Sequence, residues 1–220
     1  LVILHPFGLE AKDMALYVPF FKERYPSWNI LLIDACGHGQ SDGYIRGLGI
    51  KDVNDLICWN RYLVKEYGNK HQIILYGKEA GANTILKAAS KHLLKNVKAI
   101  ISDGAYTSVY DILGYRMVKD YKVPKFPTMR MIKRKIKQEI KINIKESYPL
   151  MLKHNDIPTI FIHMKDDDFV PLDMVYPLYN TNRGSKVLFV LKDEHYLYEL
   201  EETDEFKNTL KDFISKYVEM

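Results

Sequence analysis

Ile73-Ile74-Leu75-Tyr76-Gly77-Lys78-Glu79-Ala80-Gly81-Ala82 is the stretch whose reading decides the fold. A continuous apolar run stops at one glycine, three residues separate it from a second, and a helical pattern begins. This is the sequence form of a sharp strand–turn–helix elbow. Its glycines stand where a Cβ has no room, either in the turn or where helix and strand pack closely. In the pattern G-x-S-x-G the serine on the crest of such a turn is a nucleophile. Here the crest residue is Glu79, so the elbow is retained and its hydroxyl is not.

Outward from the elbow, short apolar runs alternate with helix-length amphipathic segments. Strands are expected over 1–4, 30–34, 72–76, 97–102, 159–163 and 186–191. Helices are expected over about 11–25, 51–66, 80–94, 108–121, 127–141 and 203–217, with a short one after Pro171. Val123-Pro124-Lys125-Phe126-Pro127 forbids one continuous helix across 108–141. Buried strands separated by helices mean an α/β protein with a parallel sheet covered on both faces. In that architecture the loops after His5, Asp34, Tyr76, Ser102, His163 and Leu191 meet at one edge, where function concentrates.

The 220 residues are 47% hydrophobic and 27% charged, enough for one full core, and a single domain over 1–220 is expected. The net charge of +4 is unevenly spread. Between 114 and 147, eleven basic side chains face three acidic ones, so that segment carries +8 and the rest of the chain −4. Cys36 and Cys58 have neither metal-ligand spacing nor a disulfide framework. No apolar run reaches the length of a membrane span. The chain opens on a strand without an initiator Met and reads as a fragment, leaving localisation open between the cytoplasm and a membrane-associated state.

Five loops together resemble the α/β-hydrolase family, over essentially the whole chain. His5-Pro6-Phe7-Gly8 resembles the H-G-x-G oxyanion turn, and Asp34-Ala35-Cys36-Gly37-His38-Gly39-Gln40-Ser41 the D-x-R-G-H-G-x-S loop. Gly77 to Gly81 matches the nucleophile elbow. Ile162 to Pro171 resembles the acid loop I-H-G-x-x-D-x-x-V-P, and His195 follows the last strand. Asp103-Gly104-Ala105-Tyr106-Thr107-Ser108 and the turn from Pro124 to Pro127 resemble a bacterial group of esterase-like proteins with a helical insert, several of them membrane-anchored. The resemblance implies an α/β-hydrolase fold whose amino-terminal strands are missing here, with a basic helical lid over 108–147. It places the triad positions at Glu79, Asp167 and His195 and the oxyanion-hole donors at Phe7 and Ala80. It implies no cofactor and no metal. Asp167 is selected among three aspartates because it lies four residues before Pro171.

The departures are as informative as the matches. Glu79 replaces serine, and Pro6 brings a residue without an N–H into the oxyanion turn. Cys36 replaces the loop arginine, Met164 the acid-loop glycine, and Lys192-Asp193-Glu194 the small residues before the histidine. Together they point to a protein derived from a serine esterase or acyl hydrolase whose catalytic machinery is incomplete: a pseudo-hydrolase that binds a ligand or a partner at the old cleft, a small ester or acyl compound being one such ligand. Glu79 is expected to form a salt bridge with His195 or Lys78, and a carboxylate beside His195 would favour its imidazolium. One alternative is an active hydrolase using the Glu79 carboxylate as nucleophile with Asp167 and His195. Glutamate is a methylene longer than aspartate, and a misplacement of about 1 Å can cost roughly 100-fold in rate. A second alternative is an interaction module whose basic lid meets an anionic membrane surface or an acidic partner. Nucleic acid is not an expected partner, because no suitable fold or aromatic platform is present. Asp166 and Asp168 read as solvated loop acids, Cys36 as a small loop residue, His38 as a loop-fixing hydrogen-bonder and Tyr106 as a packing residue.

Overall fold

The computed structural model describes residues 1–191 and 204–219. Six strands form one sheet: β1 (Val2–Leu4), β2 (Leu31–Ile33), β3 (Ile73–Lys78), β4 (Val97–Asp103), β5 (Thr159–Met164) and β6 (Lys186–Leu191). Their order is β2-β1-β3-β4-β5-β6, and every neighbouring pair is parallel. The parallel, doubly covered sheet expected from the alternation is therefore present, and it is that of an α/β-hydrolase fold.

Alternate residues of each strand feed opposite faces, which is why the strands read as unbroken apolar runs. Val2, Leu4, Leu75, Ile100 and Phe161 belong to one core. Ile3, Ile74, Tyr76, Ile101 and Ile162 belong to the other. Burial of each such side chain stabilises the fold by about 1.5–3 kcal/mol, so neither face can be left uncovered. The first core is covered by α2 (Asp52–Tyr67), α3 (Ala80–Ala89) and α7 (Val175–Thr181), and the second by α1 (Tyr17–Arg24) and α8 (Asp204–Tyr217).

Between β4 and β5 the alternation is interrupted by α4 (Val109–Tyr121), α5 (Lys125–Glu139) and α6 (Tyr148–Leu152). Ser108 caps α4: its hydroxyl accepts from the Asp111 N–H, and it donates to Asp111 Oδ2 at 2.6 Å. Lys122, at φ 56°, turns the chain out of α4, and Phe126 is extended at φ −109°, ψ 137°. The two prolines thus separate the helices as expected. The insert is tied to the core by buried Ile112, Met117 and Met129.

Besides shifts of one or two residues, as in α5, and the short α6, which the sequence reading did not include, two helical segments differ from expectation. The elbow helix stops at Ala89 instead of reaching 94, because the Ser90 hydroxyl bonds back to the Lys87 carbonyl and His92 takes φ 52°. The first helical segment splits, with residues 11–16 wound as a tighter 3-10 helix before α1.

Candidate active site

β3 runs two residues further than its apolar stretch, through Gly77 and Lys78, and delivers Glu79 to the crest between strand and helix. Glu79 has φ 47° and ψ −110° and is 6% exposed. A non-glycine residue in such a conformation costs on the order of 1–3 kcal/mol and persists only where its surroundings enforce it. Here they do. Its N–H donates to the Asp103 carbonyl at 2.7 Å, and its carbonyl accepts from Asn83 N–H at 3.0 Å. A Cβ on Gly77 would lie 2.5 Å from the Ala82 nitrogen, and one on Gly81 would lie 2.5 Å from the Leu4 carbonyl oxygen. Both glycines are therefore required for α3 to fold back against β3 and β1.

The loop after β4 passes beside Glu79. Gly104 has φ 62°; a Cβ there would sit 3.5 Å from Glu79 Cγ and 3.9 Å from Asp167 Oδ2. This single glycine is thus flanked by the side chain of Glu79 and the carboxylate of Asp167, so the two predicted positions lie on either side of it. Asp167 is well anchored, because its Oδ1 accepts from the N–H groups of Phe169 (2.7 Å) and Val170 (2.8 Å). Its Oδ2 lies 3.9 Å from Nε2 of fully buried His163, which is 2.8 Å from the Val170 carbonyl oxygen. His195, the third triad position, lies outside the described residues.

The oxyanion positions also converge. Phe7 and Ala80 line one cavity of about 40 Å³ together with His5, His38 and Thr84. Behind Pro6, His5 Nε2 accepts from Ala35 N–H at 3.0 Å, which makes Nδ1 the protonated nitrogen, 2.8 Å from the Pro6 carbonyl. The turn is therefore held by a neutral imidazole, and burial pushes the His5 pKa down. His38 places Nδ1 3.2 Å from the Cys36 carbonyl, in the loop-fixing position expected of it, and its ring packs against His5 and edge-on to Phe7. Cys36 Sγ points at the Asp42 carbonyl within the same loop. Tyr106 is buried against Tyr148, as a packing residue would be, and its backbone is clamped to the Asn83 side chain by two hydrogen bonds.

Several partnerships were invisible in the sequence. Lys78 Nζ lies 3.3 Å from Asp103 Oδ2, which also accepts from the Tyr76 hydroxyl at 2.6 Å. Burial, reinforced by Asp103, holds the Tyr76 phenol well above its ordinary pKa. Asp168 is exposed as expected, yet it is not merely solvated: Lys119 contacts both its carboxylate (2.6 Å) and its carbonyl (2.7 Å), and Arg116 donates to the same carbonyl. The Arg116 guanidinium also covers the Phe169 ring at 4.4 Å. The insert thereby grips the loop carrying Asp167. The one available signal was the basic spacing Arg116-x-x-Lys119 on α4, which names no partner. Among the described residues, no group of three or more His, Cys, Asp or Glu could hold a metal ion.

No protein-family model matches the chain. It is 26% identical over 216 residues to the uncharacterised protein YqkD of Bacillus subtilis, a match covering 97% of this chain and 70% of that protein. Among solved structures it superposes on the Pyrococcus furiosus esterase Pf2001 with a TM-score of 0.76 at 20% identity, covering 99% of this chain and 82% of the esterase. It superposes on a Paleococcus ferrophilus monoacylglycerol lipase with a TM-score of 0.64 at 14% identity, covering 97% and 93%.

Proposed function

We propose that this chain, an α/β-hydrolase fold whose structural neighbours include esterases and lipases, is a pseudo-hydrolase: it binds a small ester or acyl ligand at the old cleft and does not turn it over. The observation that carries this reading is the crest of the elbow. Glu79 holds the crest at positive φ, where the family's nucleophile would stand, and its side chain and the anchored carboxylate of Asp167 flank the same glycine, Gly104. An acyl-transfer triad needs a hydroxyl or thiol whose proton passes to a histidine held by the acid. A carboxylate has no such proton to give, and a second carboxylate beside the acid favours the histidine's protonated form, which cannot act as base.

Pro6 supports the same reading. Its missing N–H and fixed φ constrain the turn that would present Phe7 as an oxyanion donor, and loss of one such donor costs about 100- to 1000-fold in rate. The reading is tested with short p-nitrophenyl esters and a fluorophosphonate probe. The expected result is no turnover above the uncatalysed rate and no labelled residue. Turnover that disappears in His195→Ala would overturn it. Glu79→Ser then separates two origins of inactivity: activity gained means that only the nucleophile was lost, and activity still absent means that the surrounding loops have diverged too.

A further inference from the structure

We propose that the tip of the α4–α5 insert docks on an anionic membrane surface, independently of whether the cleft is catalytic. Tyr121 ends α4 and is 75% exposed; Phe126, in the extended kink at the start of α5, is also 75% exposed; Met131 follows at 68%. Water contact with these side chains does nothing for the fold. α5 already buries Met129 and packs Ile132 and Ile136 against the core, so its inner stripe is satisfied. Arg130, Arg134 and Lys137 recur at spacings of four and three, which places them on one outward face of α5, with Met131 beside it and exposed Phe126 in the extended turn just before the regular helix.

Among the described residues, no acidic side chain pairs with the cations of that face. Within the insert, Arg116 pairs with Asp120, Lys119 with Asp168 and Lys135 with Glu139. Lys122, Lys125, Arg130, Lys133, Arg134 and Lys137 make no ion pair among the described residues. Cations around protruding aromatic and thioether side chains match the two layers of an anionic bilayer surface, charge at the headgroups and apolar contact just beneath. A soluble polyanion would engage the charges alone and leave Tyr121, Phe126 and Met131 without a role. No helix among the described residues is long and apolar enough to cross a membrane.

The test is co-sedimentation with vesicles of phosphatidylcholine alone and of phosphatidylcholine with phosphatidylglycerol. Binding to the anionic vesicles is expected, at least about tenfold stronger than to the neutral ones and weakened by salt. Arg130→Ala with Arg134→Ala should weaken it by about 30-fold, at roughly fivefold for each charge. Phe126→Ser with Met131→Ser should weaken it about tenfold or more at unchanged charge. All four positions are exposed, and unchanged circular dichroism verifies the fold. Equal binding to both vesicle types, or no binding, overturns the proposal. So does anionic binding untouched by Phe126→Ser with Met131→Ser, which would mean a charge-only contact with any acidic partner.

Discussion

At Glu79 the backbone is held in a conformation that only a fully specified neighbourhood maintains, and the two glycines beside it carry much of that specification. Gly81→Ala should lower stability by about 1–3 kcal/mol, because the new methyl meets the Leu4 carbonyl rather than a yielding side chain. A shift of the urea midpoint at constant m-value checks this. A harsher outcome is expected one strand away. Asp103 bears the Lys78 ammonium and the Tyr76 hydroxyl in a buried setting, and Asp103→Asn should cost about 3–5 kcal/mol, since breaking a buried ion pair is worse than never having one. The elbow was legible in the sequence because glycine spacing encodes it locally. The Lys78–Asp103 pair was not, because its partners lie 25 residues apart. The meeting of Glu79 and Asp167 across Gly104 stands between these cases. Motif order placed both residues at the same sheet edge, and only the three-dimensional path of the β4 loop put one glycine between them.

Among the elements, the turn after β1 carries a titratable clamp. His5 is neutral and bonded on both ring nitrogens, and its folded pKa lies below the ordinary 6.5 through burial. The unfolded chain therefore binds a proton there first. The stability His5 contributes is present above about pH 6.5 and is lost as pH falls through the folded value. Urea midpoints should decline on acidification from pH 7 in the wild type, and His5→Gln, less stable at neutral pH, should show a flatter profile. Asp52 runs the other way. Burial raises its pKa, so its contribution is present below 3.8 and is lost as pH rises through its folded value. Element existence was readable from apolar periodicity throughout, as with the split between α4 and α5 at Pro124 and Pro127. Ends were less so. The stop of α3 at Ala89 depends on the Ser90 hydroxyl and on the turn at His92, which carry no strong sequence signal of their own.

For the molecule as a whole, the two-faced sheet makes each layer depend on the other, and Met117 and Met129 bind the insert to the same core as Leu75 and Phe161. Unfolding is expected as one transition. Tryptophan fluorescence, which reports Trp28 and Trp59 near the β2 edge, should coincide with far-ultraviolet circular dichroism, which reports all helices. The fold was legible because alternating strands and helices have few parallel solutions. The candidate site was readable only through the matched loops: the structure sets Glu79 and Asp167 on either side of Gly104, and His195 lies outside the described residues. The most direct test of the central claim, that the elbow has kept its shape and lost its chemistry, is p-nitrophenyl butyrate hydrolysis by the wild type and Glu79→Gln, followed by intact-mass analysis. The expected result is two rates equal to the buffer blank and no adduct. Wild-type turnover that Glu79→Gln abolishes, with an acyl adduct mapped to Glu79, would contradict it.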